Sequence, residues 1–188
     1  MKTALLFSAF VVAAGLTAAD FRIDVAGLKG VGMAARSASD GVTVRQAEWM
    51  KERKDQRLVA SVKVSNEWKE YSFTFVPKKT GSIQLNLMSD SKDMAACDGL
   101  RISGSSLKNG GFEEVSSGKP SGWRSMHAPR LVTDGKAGEG KNFVEVAHND
   151  RWMQTVPCKE GEAVTVTFLA RSVAAKYCLL YTSPSPRD

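Results

Sequence analysis

Few residues in this chain of 188 amino acids have the types and spacing that catalysis requires. Hydrolysis of a glycosidic bond needs two carboxylates held across a cleft, one with a raised pKa, whereas the acidic residues here fall mostly in turns and charged loops. His127 and His148 show neither metal-type spacing nor a Gly-x-Ser-x-Gly nucleophile motif beside them. The sequence therefore predicts a non-catalytic chain, with any associated catalytic domain lying outside it.

Tryptophan offers a different chemistry, because its flat apolar ring can stack on a ligand as well as fill a core. The chain has four tryptophans, Trp49, Trp68, Trp123 and Trp152. Trp68 and Trp152 begin strand-like segments that continue inward, so we predict that both pack in the core. Trp123 follows a Pro-Ser-Gly turn and is predicted to be either a stacking platform or a core residue. Trp49 has the parity of its strand's outer face, which favours a platform.

The net charge of +6 does not by itself indicate a nucleic-acid partner, because lysine and arginine are spread along the chain. The densest basic cluster, residues 51–57, interleaves Glu52 and Asp55 and is typical of a solvated loop. Since the cluster follows the strand-like Val42-Thr43-Val44, we expect a strand that runs into a charged hairpin loop. No nucleic-acid binding is predicted.

Period-two alternation of apolar and polar residues recurs along the chain and is typical of strands with one buried face. Pro, Asn and Gly separate the alternating segments where the backbone must reverse. Short strands with regular turns predict an all-β fold in which two sheets pack as a sandwich. The clearest alternating sets are Phe21, Ile23 and Val25; Tyr71, Phe73 and Phe75; Ile83, Leu85 and Leu87; and Val164, Val166 and Phe168.

Residues 1–19 are typical of a cleavable signal peptide. Lys2 supplies a positive charge, residues 4–16 form an apolar run too short to span a bilayer as a helix, and small residues precede the predicted cut after Ala19. A buried N-terminal helix is the alternative, which is disfavoured because the run has no amphipathic face. We therefore predict a secreted or periplasmic protein that starts at Asp20 and has no membrane span.

Two stretches of the chain together resemble a carbohydrate-binding module of the CenC-like type, a family with the galactose-binding-like jelly-roll fold. The later stretch is similar to the family's opening half and contains Asn109-Gly110-Gly111-Phe112-Glu113. The similar segments there are 107–114, 120–123, 152–156 and 164–171. The earlier stretch is similar to the closing half, in segments 68–75, 80–87 and 97–104. The resemblance implies a jelly-roll β-sandwich.

Each of the two stretches is predicted to be a partial module, because each resembles only one half of the family pattern. Residues 20–104 form the first, which is abbreviated because it lacks the Asn-Gly-x-Phe-Glu opening. Residues 105–176 form the second, which is incomplete because it lacks the later hairpin and the closing strand. Residues 177–188 share neither the alternation nor the turns of the rest and resemble translated adapter sequence, with a native Ser/Pro linker as the alternative.

The resemblance implies binding of a polysaccharide or glycan. Sugar recognition combines an apolar platform with hydrogen-bonding groups. Trp123 and Trp49 are the predicted platform, and Arg45, Gln84 and Asn86 are predicted to supply hydrogen bonds from an outer sheet face; an ordinary solvated face is the alternative. The predicted function is non-catalytic carbohydrate binding at the N-terminal end of a larger secreted protein, such as a glycoside hydrolase. The alternative is a structural or adhesive cell-surface sandwich that binds another protein.

The resemblance also implies a structural calcium ion near the beginning and end of a module. Glu113 or Glu114 matches the opening carboxylate of the family, and Asp98 matches the closing one.

Three cysteines, Cys97, Cys158 and Cys178, cannot all pair within one chain. Cys97 and Cys158 are predicted either to form a disulfide in an oxidising compartment or to remain free buried thiols. Cys178 falls in the tail that is predicted not to be native.

Overall fold

The computed structural model describes residues 19–50, 55–89, 93–133 and 135–173, except for the side chains of residues 48–50 and 55. The predicted signal segment before Ala19 and the predicted tail 177–188 lie outside that part of the chain, as does Cys178. β-Strands are the only regular secondary structure in the described part of the chain. That part contains no helix that could cross a membrane. The predicted all-β class is confirmed.

Fourteen strands follow one another along the described chain. They are β1 (Ala19–Gly27), β2 (Met33–Ala38), β3 (Val42–Met50), β4 (Asp55–Val64), β5 (Lys69–Pro77), β6 (Gly81–Ser89), β7 (Met94–Ser103), β8 (Val115–Ser116), β9 (Lys119–Pro120), β10 (Arg124–Met126), β11 (Arg130–Val132), β12 (Phe143–Val146), β13 (Arg151–Cys158) and β14 (Val164–Val173).

These strands form two six-stranded antiparallel sheets and one small ribbon of β8 and β9. Sheet A has the order β10-β13-β6-β1-β4-β3, and sheet B has the order β11-β12-β7-β14-β5-β2. The sheets pack face to face, so that the ring of Phe21 in β1 lies 5.2 Å from the ring of Phe168 in β14. The predicted β-sandwich is therefore present, while its jelly-roll type stays a prediction.

The core follows the alternation that the sequence shows. In β14, Val164, Val166, Phe168 and Ala170 are buried, whereas the residues between them are partly exposed. The same pattern holds in β5, where Tyr71, Phe73 and Phe75 point inward, and all of these side chains belong to one continuous apolar cluster between the sheets. Burial of each large apolar side chain contributes about 2 kcal/mol to stability, which makes this interface the main stabilising element.

Strands from the two predicted modules interleave in both sheets, so the chain forms one sandwich rather than two. In sheet A, β13 pairs with β6, and Trp152 lies opposite Leu87. In sheet B, β14 is inserted between β5 and β7. The predicted boundary at residue 104 therefore does not separate two cores. The physical reason is complementarity, because the strands missing from the earlier stretch are those that the later stretch supplies.

The Asn-Gly-Gly turn that opens the later stretch packs directly on β7 of the earlier one. Leu100 N donates to Gly110 O at 3.0 Å. A Cβ atom on Gly110 would lie 1.8 Å from Leu100 O, so only glycine allows this approach. Asn109 next to it accepts a hydrogen bond from Glu114 N and donates to Glu114 O, which closes the turn. The two stretches are thus joined by backbone contacts as well as by the core.

Candidate functional site

The outer face of sheet A carries an unbroken row of side chains across all six strands. The register places Arg124, Met153, Asn86, Asp24, Val59 and Arg45 opposite one another in successive strands from β10 to β3. Because facing residues of adjacent strands point to the same side of a sheet, the row lies on one surface. The inward-facing neighbours of these residues form the core, so this row faces away from sheet B.

The centre of this row is a carboxylate held by two arginines. Asp24 is fully buried, and its side chain accepts hydrogen bonds from Arg22 and from Arg57. Arg22 lies on the same strand, while Arg57 reaches across from β4, with Nη1 2.8 Å from Oδ2 of Asp24. Asp24 thus fixes both guanidinium groups at the centre of the face.

Beside Asp24, an amide network fixes the two residues of β6 that the sequence nominated. Asn86 donates through Nδ2 to the backbone oxygens of Asp24 and Gln84. Gln84 donates through Nε2 to Oδ1 of Asn86 at 2.8 Å and approaches the sulfur of Met153. Asn86 is fully buried, so the prediction that it contacts a ligand is wrong. It holds Gln84, which is partly exposed and remains accessible from outside.

The ends of the row are exposed cations. Arg45 in β3 and Arg124 in β10 are both exposed, as is Lys63 in β4. Within the described part of the chain, none of these three side chains makes an ion pair. Arg45 thus lies on the outer sheet face that the sequence predicted for it, with its guanidinium free to meet a ligand.

A pocket of about 430 Å³ opens at the β10 and β13 edge of the same face. Its lining includes Lys108, Arg124, Met153 and Thr155. Gln154 also lines the pocket and is held on both sides of its amide, because Oε1 accepts from Lys108 N at 2.8 Å and Nε2 donates to Lys108 O at 2.9 Å. The volume is that of a small-molecule pocket, and the accessible charges in its lining are positive.

Trp123 does not provide the predicted platform. Its side chain is only 5 % exposed, its Nε1 donates to Asn109 O at 3.0 Å, and its ring packs against Phe112 with centroids 5.3 Å apart. The ring therefore belongs to the core, and the core alternative holds. The turn before Trp123 suggested exposure, but the ring packs back onto the Asn109 and Phe112 segment. The side chain of Trp49 in β3 lies outside the described residues.

The two tryptophans predicted to be structural have different surroundings. Trp152 is 1 % exposed and belongs to the core cluster, as predicted. Trp68 is partly exposed and lies against sheet B rather than between the sheets. The guanidinium of Arg171 lies 4.9 Å from its ring centre, Phe143 meets it edge-on, and its Nε1 donates to Lys136 O. The ring of Trp68 thus helps to anchor the loop that follows β11.

The carboxylates predicted for calcium are engaged as hydrogen-bond acceptors. Asp98, fully buried, accepts from Gly99 N and Glu139 N, both at 2.7 Å. Glu113 accepts from Lys141 N and Asn142 N through Oε1. No group of three or more His, Cys, Asp or Glu side chains that could hold a metal ion is found in the described part of the chain, and the calcium site stays a prediction.

Burial sets the ionisation of Asp98. Loss of hydration raises the pKa of its carboxyl above the usual value, and the backbone donors around it, from Glu139, Gly99 and Gly138, oppose part of that rise. Asp98 and Glu113 hold the two halves of the same loop, 138–142, against the body of the sandwich. Their role in the described structure is to fasten this loop. Glu114 contributes through its backbone, to Asn109 and Ser121, and its side chain is exposed.

Cys97 and Cys158 are free and buried, so the disulfide alternative is wrong and the free-thiol alternative holds. Cys97 lies in β7 of sheet B, and Cys158 lies at the end of β13 in sheet A. Burial raises the pKa of both thiols, that of Cys97 well above its ordinary value. Both side chains therefore act as small apolar core residues.

Comparison with protein-family models, with curated proteins and with solved structures finds no match for this chain. The sequence identified Arg45 and Gln84 of the outer face but missed Lys108, Arg124, Met153 and Gln154. Arg124 directly follows Trp123, so an inward-facing tryptophan would have placed the arginine outside. The pairing of β13 with β6, which brings these residues to Gln84, has no local signal.

Proposed function

We propose that the chain is a non-catalytic carbohydrate-binding sandwich, and that the glycan lies across the outer face of sheet A. The single observation that supports this most strongly is the cross-strand row from Arg124 to Arg45. Planar polar side chains fixed in advance are what sugar hydroxyls require, because little side-chain entropy is then lost on binding. Gln84, Arg22 and Arg57 are fixed in this way by Asn86 and Asp24.

The pocket beside β10 fits one end of such a ligand. The thioether of Met153 and the methyl group of Thr155 offer apolar contacts for the C–H groups of a sugar ring, and Lys108 and Arg124 offer donors for its oxygens. The site is shallow and open elsewhere, so we expect weak to moderate, non-covalent binding. Trp49 remains the proposed aromatic contribution, since it belongs to β3 at the opposite edge of the same sheet.

Affinity electrophoresis of the chain through gels that contain single polysaccharides tests the proposal. We expect retardation on at least one polysaccharide and its loss or reduction in Gln84→Ala. The matched control is Thr167→Ala, which removes a partly exposed polar group from β14 on the other sheet. Absence of retardation on every polysaccharide would count against carbohydrate binding, and an equal effect of both variants would count against this face.

Adhesion to another protein is the second candidate function, and the burial of Trp123 favours it. A protein partner does not need an exposed aromatic platform, and the exposed apolar residues Val115 and Met126 are 46 % and 39 % exposed. If the chain binds another protein, we expect no retardation on any polysaccharide. We also expect saturable binding to a protein partner, and Met126→Ser should weaken that binding.

A further inference from the structure

The two outer faces of the sandwich treat their cations differently. On sheet B, Arg101 pairs with Glu70 and Glu139 and Arg130 pairs with Glu145, while the exposed Arg36 of β2 has no acidic partner in the described chain. On sheet A, the register brings six basic side chains to the outer face, namely Arg22, Arg45, Arg57, Lys63, Arg124 and Arg151. By the same register, three acidic residues accompany them, Asp20, Asp24 and Asp55. The excess of positive charge is thus concentrated on one face.

Four of these six cations have no acidic partner in the described chain: Arg45, Lys63, Arg124 and Arg151. The Nε atom of Arg151 is buried and has no hydrogen-bond partner among the described residues. A buried donor without an acceptor costs stability, about 1 to 3 kcal/mol. Arg171 of sheet B has a buried Nε atom in the same state, so the proposal rests on the four unpaired side chains and not on this atom.

The spacing of the cations suits an extended ligand. Arg124 and Arg45 lie at opposite edges of the sheet, five inter-strand steps apart, which is about 24 Å at the usual strand spacing. This exceeds the Debye length of about 8 Å at physiological ionic strength, so the cations act as separate contact points. A polymer with a negative charge repeated along its length can meet several of them at once. Lys108 beside Arg124 adds a further cation at the pocket.

We propose that the ligand of the sheet A face is an acidic polysaccharide, one whose sugar units carry carboxylate or sulfate groups. The inference rests on the proposed carbohydrate-binding function and adds the ligand's charge to it. Charge complementarity identifies the class: free guanidinium groups bind carboxylate and sulfate oxygens through paired N–H donors. The same face carries the polar side chains of Gln84, Thr155 and Thr43, which can hydrogen-bond to the uncharged hydroxyl groups of the sugar.

Matched polymers test this charge requirement. Polygalacturonate is compared with its fully methyl-esterified form, and dextran sulfate with dextran, by affinity electrophoresis and titration calorimetry of the full chain. We expect the charged member of at least one pair to bind more tightly, and an increase from about 50 mM to about 500 mM NaCl to weaken it. The two pairs distinguish carboxylate from sulfate as the recognised group.

Single substitutions locate the charge effect. Arg45→Gln and Arg124→Gln are each expected to weaken binding about fivefold, which corresponds to about 1 kcal/mol. Arg36→Gln is the matched control, because it removes the same charge from an exposed position in β2 of sheet B and should change affinity by less than about twofold. Thermal unfolding of each variant verifies that the fold is retained.

Each contrary result would overturn a different part of the proposal. Equal binding of neutral and charged members, insensitive to salt, would overturn the acidic ligand while leaving carbohydrate binding intact. Equal loss in Arg36→Gln and in the sheet A variants would overturn the assignment to this face. Tighter binding of single-stranded DNA than of any acidic polysaccharide would replace the ligand class with nucleic acid. No binding to any glycan would remove the proposed function and this inference together.

Discussion

Trp152 of β13 lies directly opposite Leu87 of β6, and both side chains are buried in the core that the two sheets share. The sequence assigns these residues to different modules, so their pairing is the clearest mark of a single folding unit.

A chain truncated after residue 104 would lose β12, β13 and β14, and with them the neighbours of β5, β6 and β7. We expect the truncated chain to lack a cooperative thermal transition, whereas the chain ending at residue 176 should show one. Circular dichroism during heating makes the comparison, and cooperative unfolding of the short chain would restore the two-module interpretation.

Replacement of Asp24 with Asn should destabilise the protein. The carboxylate is fully buried and holds Arg22 and Arg57, so its removal leaves two arginines without their counter-charge on the outer face of sheet A. Breaking a fully buried ion pair costs about 3 to 5 kcal/mol, and since both arginines are partly exposed we expect about 2 kcal/mol. Urea unfolding measures the change. Glu160→Gln, in an exposed turn, serves as the control and should alter the free energy of unfolding by less than about 0.5 kcal/mol.

Trp123→Ala should reduce stability rather than act selectively on ligand binding. The ring is buried against Phe112, and its indole nitrogen donates to Asn109 O. Large-to-small replacement of a buried aromatic costs about 3 to 5 kcal/mol. Trp123→Phe retains part of the packing and should cost less. A variant of normal thermal stability that has lost glycan binding would show that the ring meets the ligand, contrary to its position.

Asp98 should make the protein less stable as the pH rises through the mildly acidic range. Its carboxyl has a pKa above the ordinary 3.8 in the folded state, because burial disfavours the charged form. Between those two pKa values the native state binds more protons than the unfolded state, so the free energy of unfolding contributed by this group falls with increasing pH. It is highest below about pH 3.9, where both states are protonated, and is fully reduced above the native pKa.

Asp98→Asn isolates this effect, because asparagine does not titrate. The difference in the free energy of unfolding, wild type minus variant, should decrease as the pH rises above about 3.9 in urea titrations. A difference that stays constant or increases with pH would mean that the backbone donors of Gly99 and Glu139 outweigh burial.

Cys97 and Cys158 should be unreactive in the folded protein. Both are buried and both thiols have a raised pKa, so the thiolate required for alkylation is scarce. In a Cys178→Ser background, we expect no maleimide labelling until denaturant is added, and two labels afterwards. Reduced and non-reduced samples should have masses that show no disulfide. Rapid labelling of either thiol under native conditions would contradict its burial.

Much of the fold was accessible from the sequence because local periodicity encodes which side chains face inward. Phe73, Phe75, Val164 and Val166 all follow their predicted parity. The strand that was predicted before the charged cluster is β3, which pairs with β4 as in a hairpin, but the predicted loop was too long, because residues 55–57 of the cluster belong to β4; residues 51–54 lie outside the described chain. These features depend only on neighbours along the chain, which is why they could be predicted.

The order of strands in the sheets was not accessible, since any alternating strand can pair with any other. Nothing in the local pattern places Met153 beside Asn86, and this pairing creates the pocket and the row on sheet A. Trp123 shows a related difficulty, because a residue after a turn is exposed or buried according to what the chain later packs against it. The sequence therefore predicted individual members of the candidate site, while long-range register assembles them.

Both the first and the last strand of the described chain are internal in their sheets, β1 between β6 and β4, and β14 between β7 and β5. The order of synthesis and the order of assembly therefore cannot coincide. While the ribosome is still producing residues 105–173, β5, β6 and β7 must wait with open backbone edges on which another chain could pair. Closure of both sheets requires these distant contacts, which form more slowly than contacts between neighbours along the chain.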